Sequence, residues 1–218
     1  MDISEIIIIP KPENITWEEI TDLLHKGYAE HLKNGILYSA AVQDVSKTIE
    51  RLEEGTCMVV LYKGKLIATE TYVLKRRKHS LIHKWYYDNS YFYLHSLTVH
   101  PDYKRRGIGL MLRNRIVEIA KETGVDSIIS DTSIKAKWLI SWYDRLGHKK
   151  VGLVSHKGTN YYSVVMKTPL KNKNVPDWYR LIRYGISYLI CKTLYKENGD
   201  FRFYPEILER IKLANIKQ

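Results

Sequence analysis

The sequence predicts an α/β (α+β) fold of about seven strands flanked by helices, followed by a C-terminal helical extension. Three observations carry this expectation. Short runs of β-branched and apolar residues are joined in pairs by Lys63-Gly64 and Lys157-Gly158, which read as hairpin turns. Between these runs lie longer segments whose apolar residues recur at helical spacing. From Pro169 the texture changes: a polar hinge, Lys171-Asn172-Lys173-Asn174, leads into an aromatic-rich stretch. The division expected is therefore a domain over residues 1–168 and an extension over residues 169–218.

The elements follow in order. Ile6–Ile9 is a strand closed by Pro10. Thr16 followed by Trp17-Glu18-Glu19 marks a capped helix start with an acidic first turn, running to about Leu32. A second helix spans roughly Val45 to Glu53 and ends at Gly55. Thr56–Tyr62 and Leu66–Leu74 form an antiparallel hairpin, and Lys75 to Ser90 reads as an elaborated basic and aromatic loop. Tyr91–Val99 is a strand stopped by Pro101. Ile108 to Thr123 is a helix with apolar residues at Leu112, Ile116 and Ala120, closed by Gly124. A strand over Val125–Ser130, a helix over Ile134–Leu146 and a hairpin of Lys150–Ser155 with Tyr161–Lys167 complete the sheet. Helices are expected over Pro176–Lys196 and Tyr204–Lys217.

A chain of 218 residues suits one core with an appendage, and 44% hydrophobic with 27% charged residues is ordinary for a globular protein. The longest purely apolar run, Ile6 to Ile9, is far short of the roughly 20 residues that cross a bilayer. Asp2 and Glu5 argue against a secretory signal, so a cytoplasmic location is expected. Cys57 and Cys191 stand far apart with no metal-ligand spacing, which argues against a disulfide framework and a metal site. The net charge of +11, from 35 Lys and Arg against 24 Asp and Glu, favours anionic partners without choosing among them.

The stretch Leu94-His95-Ser96-Leu97-Thr98-Val99-His100-Pro101-Asp102-Tyr103-Lys104-Arg105-Arg106-Gly107-Ile108-Gly109-Leu110 is the most informative. It reads strand, turn, two glycines one residue apart, then helix. Glycine removes the Cβ that would keep a ligand from the backbone, and the free amides of a helix start bind phosphate. Three basic residues before the glycines add charge. A Walker loop and a dinucleotide-binding loop both need glycines that are missing here. This stretch resembles the acyl-CoA-binding motif of the GNAT superfamily of N-acetyltransferases, Gln/Arg-x-x-Gly-x-Gly/Ala after a strand reading Leu-x-Val-x-Pro. The order of elements from residue 3 to about 168 is also similar to that family. The resemblance implies a mixed, mostly antiparallel twisted sheet and acetyl-CoA as acyl donor, with no metal. It implies that the strand bulges near Ser96–Thr98, that backbone groups of Leu97, Thr98 and Val99 meet the pantetheine arm, and that the amide of Val99 polarises the thioester carbonyl. Lys104, Arg105, Arg106, Gly107, Ile108, Gly109 and Leu110 would then hold the pyrophosphate. Lys104 stands where the family has Gln or Arg, keeping charge but losing a planar donor.

Acyl transfer to an amine needs a base, because with a pKa of about 10.4 only roughly one amine in a thousand is nucleophilic near neutrality. It also benefits from an acid at the departing thiolate. His95, on the strand before the expected bulge, is the candidate base, and the resemblance implies the same role; the alternative is a histidine bonded within the strand. Tyr93 lies two residues earlier on the same face. The segment Trp142-Tyr143-Asp144-Arg145-Leu146-Gly147-His148 is similar to a family signature in which the tyrosine protonates the leaving thiol, so Tyr143 is the implied acid. The asparagine usual seven residues before it is Ala136, and Ser133 or Lys135 is the expected substitute.

The implied acceptor is a primary amine of a small molecule. Lys75, Arg76, Arg77, Lys78 and Lys84 beside Trp85, Tyr86 and Tyr87, together with Thr159-Asn160-Tyr161-Tyr162-Ser163, suit an anionic or sugar-bearing amine such as an amino sugar or nucleotide-linked amino sugar. Trp178, Leu181, Ile182, Ile186, Leu189 and Ile190 share a broad apolar face that suits packing on the core, a homodimer contact or a weak contact with an anionic membrane surface. No nucleic-acid motif is recognisable, so no nucleic-acid partner is expected. A basic nucleic-acid binder and a non-catalytic acyl-CoA binder remain the rival readings.

Overall fold

The computed structural model describes residues 1–76, 88–171 and 176–198. Most of the expected loop over Lys75–Ser90, the hinge after Lys171 and the expected Tyr204–Lys217 helix lie outside the described residues. Seven strands form one sheet: β1 (Ile6–Pro10), β2 (Thr56–Tyr62), β3 (Lys65–Arg76), β4 (Ser90–Val99), β5 (Ser127–Ser133), β6 (Lys149–Ser155) and β7 (Tyr162–Pro169). Their order is β1-β2-β3-β4-β5-β7-β6, and every neighbouring pair is antiparallel except β4 with β5. The helices among the described residues are α1 (Trp17–Lys33), α2 (Val45–Leu52), α3 (Ile108–Thr123), α4 (Lys137–Arg145) and α5 (Asp177–Leu194).

Local chemistry sets the helix starts. Thr16 Oγ1 accepts from Glu19 N at 3.2 Å while Glu19 Oε2 accepts from Thr16 N at 2.7 Å, a reciprocal cap on α1. Asp44 caps α2 by accepting from Lys47 N at 2.7 Å. Strand alternation then divides the core between the two sheet faces. Met58 and Val60 of β2 meet Ile108, Leu112, Ile116 and Ala120, the inward stripe of α3. Cys57, Val59 and Leu61 point the other way, onto Ile20 and Leu24 of α1 and Leu52 of α2. At the far edge Tyr143 of α4 and Cys191 of α5 close over Leu153, Val164 and Met166.

Three boundaries depart from the pattern-based reading. Lys75, Arg76 and Ser90, expected in a loop, extend the β3–β4 ladder through Lys75↔Tyr91 and Arg76↔Ser90. β5 runs on to Ser133 because Asp131, Thr132 and Ser133 pair with β7, and two of those polar side chains find partners in the site. α5 docks on β6 by Ser187 and Cys191, the buried residues of the helix. Ser187 Oγ accepts from Leu153 N at 3.1 Å. The apolar face of α5 does not pack on the core but faces outward, Leu189 at 65% and Trp178 at 63% exposure.

Candidate active site

The parallel pairing of β4 with β5 covers only Tyr91↔Ser127 to Leu94↔Ser130. Beyond Leu94 the two strands part, and β5 continues alongside β7 alone. On its other edge β4 slips register against β3, pairing Thr71 with His95 but Thr69 with Thr98. Glu70 therefore faces both Ser96 and Leu97, a bulge in which Ser96 adopts φ 59°. The bulge lies in the segment, Ser96–Thr98, where the family resemblance implied it. Ser96 and Leu97 have no register partner on either neighbour, so the backbone of Leu97 faces the opening between β4 and β5.

The opening leads to the start of α3. Gly107 takes φ 81° as the residue before the helix, a left-handed conformation that an L side chain would strain. No side chain caps this end, and the amides from Gly107 to Leu110 have no acceptor among the described residues. A Cβ placed on Gly107 would meet nothing within 4 Å, and one on Gly109 would touch only Val99 Cγ2, at 3.6 Å. Unpartnered amides at a helix start over open space form an anion cradle. Its fit to a diphosphate with a thioester arm in the β4–β5 opening is good. The side chains contribute less than the sequence implied. Lys104 Nζ donates to Gly27 O at 3.1 Å and pairs with Glu30 at 3.2 Å, while Arg106 lies over the Tyr103 ring and does not line the cavity. Gly27 matters for a second reason: a Cβ there would stand 2.5 Å from Thr98 Cγ2, so its absence lets α1 close on the bulged strand.

Cradle and opening belong to one cavity of about 640 Å³ that also reaches Glu70, Tyr93, His95, Asp131, Tyr143 and His156. His95 Nδ1 lies 3.0 Å from Ser96 Oγ, and burial draws its imidazolium down to about 4, with the Arg51 charge adding to the effect. Asp131 accepts from the Tyr93 hydroxyl and sits 3.0 Å from His156 Nε2. Burial alone would raise the Asp131 carboxyl, but the hydrogen bond and charge of His156, with bonds from Tyr93 and Ser163, hold it at about 2. The same hydrogen bond raises His156 above the ordinary histidine value against its own desolvation. Tyr143 is 4% exposed, and burial pushes its phenol up while Arg113, donating to the hydroxyl at 3.2 Å, opposes that shift. Arg113 also forms a fully buried ion pair with Glu70, whose carboxyl burial lifts to about 7 despite that partner.

Tyr28, Tyr38 and Tyr161 form an aromatic wall, with Tyr38 5.3 Å and 5.1 Å from the other two rings. Arg51 reaches Ser39 Oγ at 2.7 Å and Gln43 Oε1 at 2.5 Å beside this wall, and Lys47 and Lys157 also line the cavity. Sequence reasoning missed Glu70, Arg113, Asp131, His156, Tyr38 and Arg51. Neither suggested substitute for the missing asparagine reaches the cavity. Ser133 is buried beneath Lys135 N, and Lys135 Nζ bonds Asn160 O and Glu197.

Residues 17–148 match the family model described as the acetyltransferase (GNAT) family. The chain belongs to the GNAT acetyltransferase family. GNAT acetyltransferases are acyl-CoA-dependent and act on amine acceptors. Solved structures share the GNAT fold at low identity. The ribosomal-protein-S18-alanine N-acetyltransferase of Escherichia coli is 15% identical, with a TM-score of 0.54 over 78% of this chain and 99% of its own. A GNAT acetyltransferase of Streptococcus agalactiae is 14% identical, with a TM-score of 0.59 over 77% of this chain and 96% of its own. A Salmonella typhimurium protein described as an acetyltransferase, solved with its cofactor acetyl-CoA, is 14% identical, with a TM-score of 0.56 over 79% and 98%. No curated protein matches the chain in sequence. No helix among the described residues is long and apolar enough to cross a membrane.

Proposed function

We propose that this GNAT acetyltransferase moves an acetyl group from acetyl-CoA to the primary amine of a small anionic molecule, an amino sugar or nucleotide-linked amino sugar, by direct attack with both substrates bound. The observation that carries the reading is the shared cavity: unpartnered amides at the α3 start, the β4–β5 opening, and Tyr143 beside both. Bound acetyl-CoA supplies an activated carbonyl and a thiolate leaving group. The amides from Arg105 to Leu110 hold its diphosphate, backbone groups of Leu97, Thr98 and Val99 align its arm, and the Val99 amide polarises the carbonyl. Tyr143 gives its proton to the departing sulfur.

His95 takes the proton that the acceptor nitrogen sheds as it bonds. Because burial keeps the ring neutral, it is free to accept at neutral pH, but it is far too weak to strip a free ammonium beforehand. His156 is a second candidate for that earlier step, since Asp131 raises its affinity for a proton into a more useful range. Arg51, Lys47 and Lys157 at the aromatic end of the cavity support an acceptor bearing a phosphate or carboxylate, and Tyr38 and Tyr161 support a ring. We place the catalytic domain at residues 1–168, with residues 169–218 as an extension that docks through α5 on β6.

The test is thiol release from acetyl-CoA across a panel of amines, with isothermal titration of CoA in parallel. Amino sugars carrying phosphate should outrun cationic polyamines. A preference for polyamines would overturn the acceptor class, and CoA binding without turnover on any amine would overturn the reaction. The acid limb of kcat separates the bases: a limb near pH 4 belongs to His95, one above pH 6.5 to His156.

A further inference from the structure

Arg113 occupies a position that the pattern of α3 reserves for an apolar residue. It is 2% exposed and flanked by Leu112 and Ile116, which are fully buried. A charge in such a place is expensive unless its geometry is well matched, and replacing a buried ion pair with apolar groups is often neutral or stabilising. Stability is therefore a poor reason for Arg113 and Glu70 to be here. Their arrangement supplies a better one. Glu70 is the β3 residue set opposite the bulge, and its carboxylate pairs with Arg113 Nη2. The same nitrogen donates to the Tyr143 hydroxyl at 3.2 Å, with the guanidinium carbon 5.2 Å from the centre of that ring. One contact chain thus runs from the strand that bulges, through α3, to the phenol on α4.

We infer that Arg113 is a positioning residue that aims the Tyr143 proton into the cavity and stabilises the phenolate left after that proton is given up. A guanidinium has donors only, so the phenol oxygen must act as the acceptor of this contact. Its single proton then points away from Arg113. Ser130 Oγ also stands beside the phenol but closes no hydrogen bond of normal geometry, and His148 meets the ring edge-on with Nδ1 unpartnered. The proton is therefore uncommitted on the side that lines the cavity. When the C–S bond of the thioester breaks, the electron pair leaves on sulfur, the Tyr143 proton moves to that sulfur, and the negative charge transfers to the phenol oxygen. Arg113 then holds a phenolate by a charge-assisted bond rather than a neutral phenol. Glu70 balances the guanidinium in the resting state. Neither of its oxygens closes a hydrogen bond of normal geometry, so the carboxylate is held to Arg113 as an ion pair.

This inference rests on Tyr143 being the proton donor, and a double-mutant cycle separates the two. Acetyl-CoA turnover is measured for wild type, Tyr143→Phe, Glu70→Gln/Arg113→Met and the combined variant, each checked for folding by circular dichroism and for CoA affinity. Tyr143→Phe should lower kcat at least tenfold. The pair change should lower kcat about tenfold in the Tyr143 protein with little change in the KM for acetyl-CoA, and less than twofold in the Tyr143→Phe background. Should Tyr143→Phe retain full kcat, the proton-donor reading fails. Should Tyr143→Phe be slow but the pair change cost the same factor in both backgrounds, Arg113 does not act through the phenol and the inference is wrong. If the pair variant does not fold, Arg113→Lys replaces it: the charge stays but the planar fork is lost, so a several-fold loss in kcat that vanishes in the Tyr143→Phe background supports the inference, and an equal loss in both refutes it.

Discussion

The two glycines at the start of α3 should answer oppositely to the same substitution. Gly107 sits at φ 81° with open space where a Cβ would go, so Gly107→Ala meets no clash and its penalty is purely backbone. Holding an L residue in the left-handed region costs about 1–2 kcal/mol. For a chain of this size each kcal/mol moves the melting temperature by roughly 2–4 °C, so a fall of about 2–8 °C is expected. Gly109 lies inside the helix with ordinary φ, and its new methyl would rest 3.6 Å from Val99 Cγ2, normal van der Waals contact. Exchanging glycine for alanine gains about 0.8–1.0 kcal/mol in a helix interior and less in the first turn, where Gly109 stands, so Gly109→Ala should raise the melting temperature by up to about 4 °C. CoA binding separates them further. If Gly107→Ala relaxes its strain by turning the loop, the amides lose their aim and affinity should fall tenfold or more, about 1.4 kcal/mol. Gly109→Ala leaves the loop in place and should bind CoA within about threefold of wild type, a difference of about 0.6 kcal/mol. Differential scanning fluorimetry gives the first comparison and isothermal titration with CoA the second. Equal melting shifts would refute the left-handed Gly107, and a Gly107→Ala protein that melts like wild type, its strain relaxed, yet keeps full CoA affinity would refute the cradle.

Stability should fall on acidification from about pH 6.5 toward pH 4. His95 is held near 4 and His148 near 3 by burial, so in this window the unfolded chain binds protons that the native state refuses, at up to about 1.4 kcal/mol per pH unit for each histidine; urea titrations at pH 6.5, 5.5 and 4.5 check the slope, and a flat profile contradicts the buried neutral rings. Gly27→Ala should destabilise by about 1–3 kcal/mol through its 2.5 Å approach to Thr98 Cγ2, and adding Thr98→Ser, which removes that methyl, should recover more than half of the loss in the same melts. Leu189→Lys should change unfolding free energy by less than about 0.5 kcal/mol, because Leu189 is 65% exposed; a loss above 2 kcal/mol would mean that this face of α5 is packed.

What the sequence made legible was local. The α3 boundaries, Ile108 to Thr123, follow from a glycine at each end and an apolar stripe between, and the structure repeats them. The bulge at Ser96 and the glycine turn lie on one continuous stretch of chain, so a linear motif could mark them. Glu70 and Arg113 carry no such mark, and Asp131 only a faint one. Each is a charged residue inside a strand or helix, and period-based reading assigns such residues to solvent. Only the slip of β3 against β4 brings Glu70 under Ser96, and only the helix crossing brings Arg113 to Tyr143. A local signal did exist for Asp131, since Ser130-Asp131-Thr132-Ser133 is an unusually polar end to a strand. For α5 the apolar face rich in Leu, Ile and Trp is not what docks the helix: it buries Ser187 and Cys191 because small side chains let it approach β6 and bond Leu153 N, which removes packing on the core from the three contacts the face suited.

The proposed cofactor end of this site is assembled from peptide groups, which every residue except proline supplies in full. Mutation can therefore rewrite nearly all the lettering of the chain while leaving the recognition of acetyl-CoA intact, so long as one residue tolerates a left-handed turn and one strand stays parted from its neighbour. The fold shared with the Escherichia coli enzyme at 15% identity, across almost the whole of that chain, is compatible with such permissiveness. The acceptor end enjoys no such freedom, because it recognises by side chains. Divergence among these proteins should accumulate there first, each new pocket inheriting the same donor.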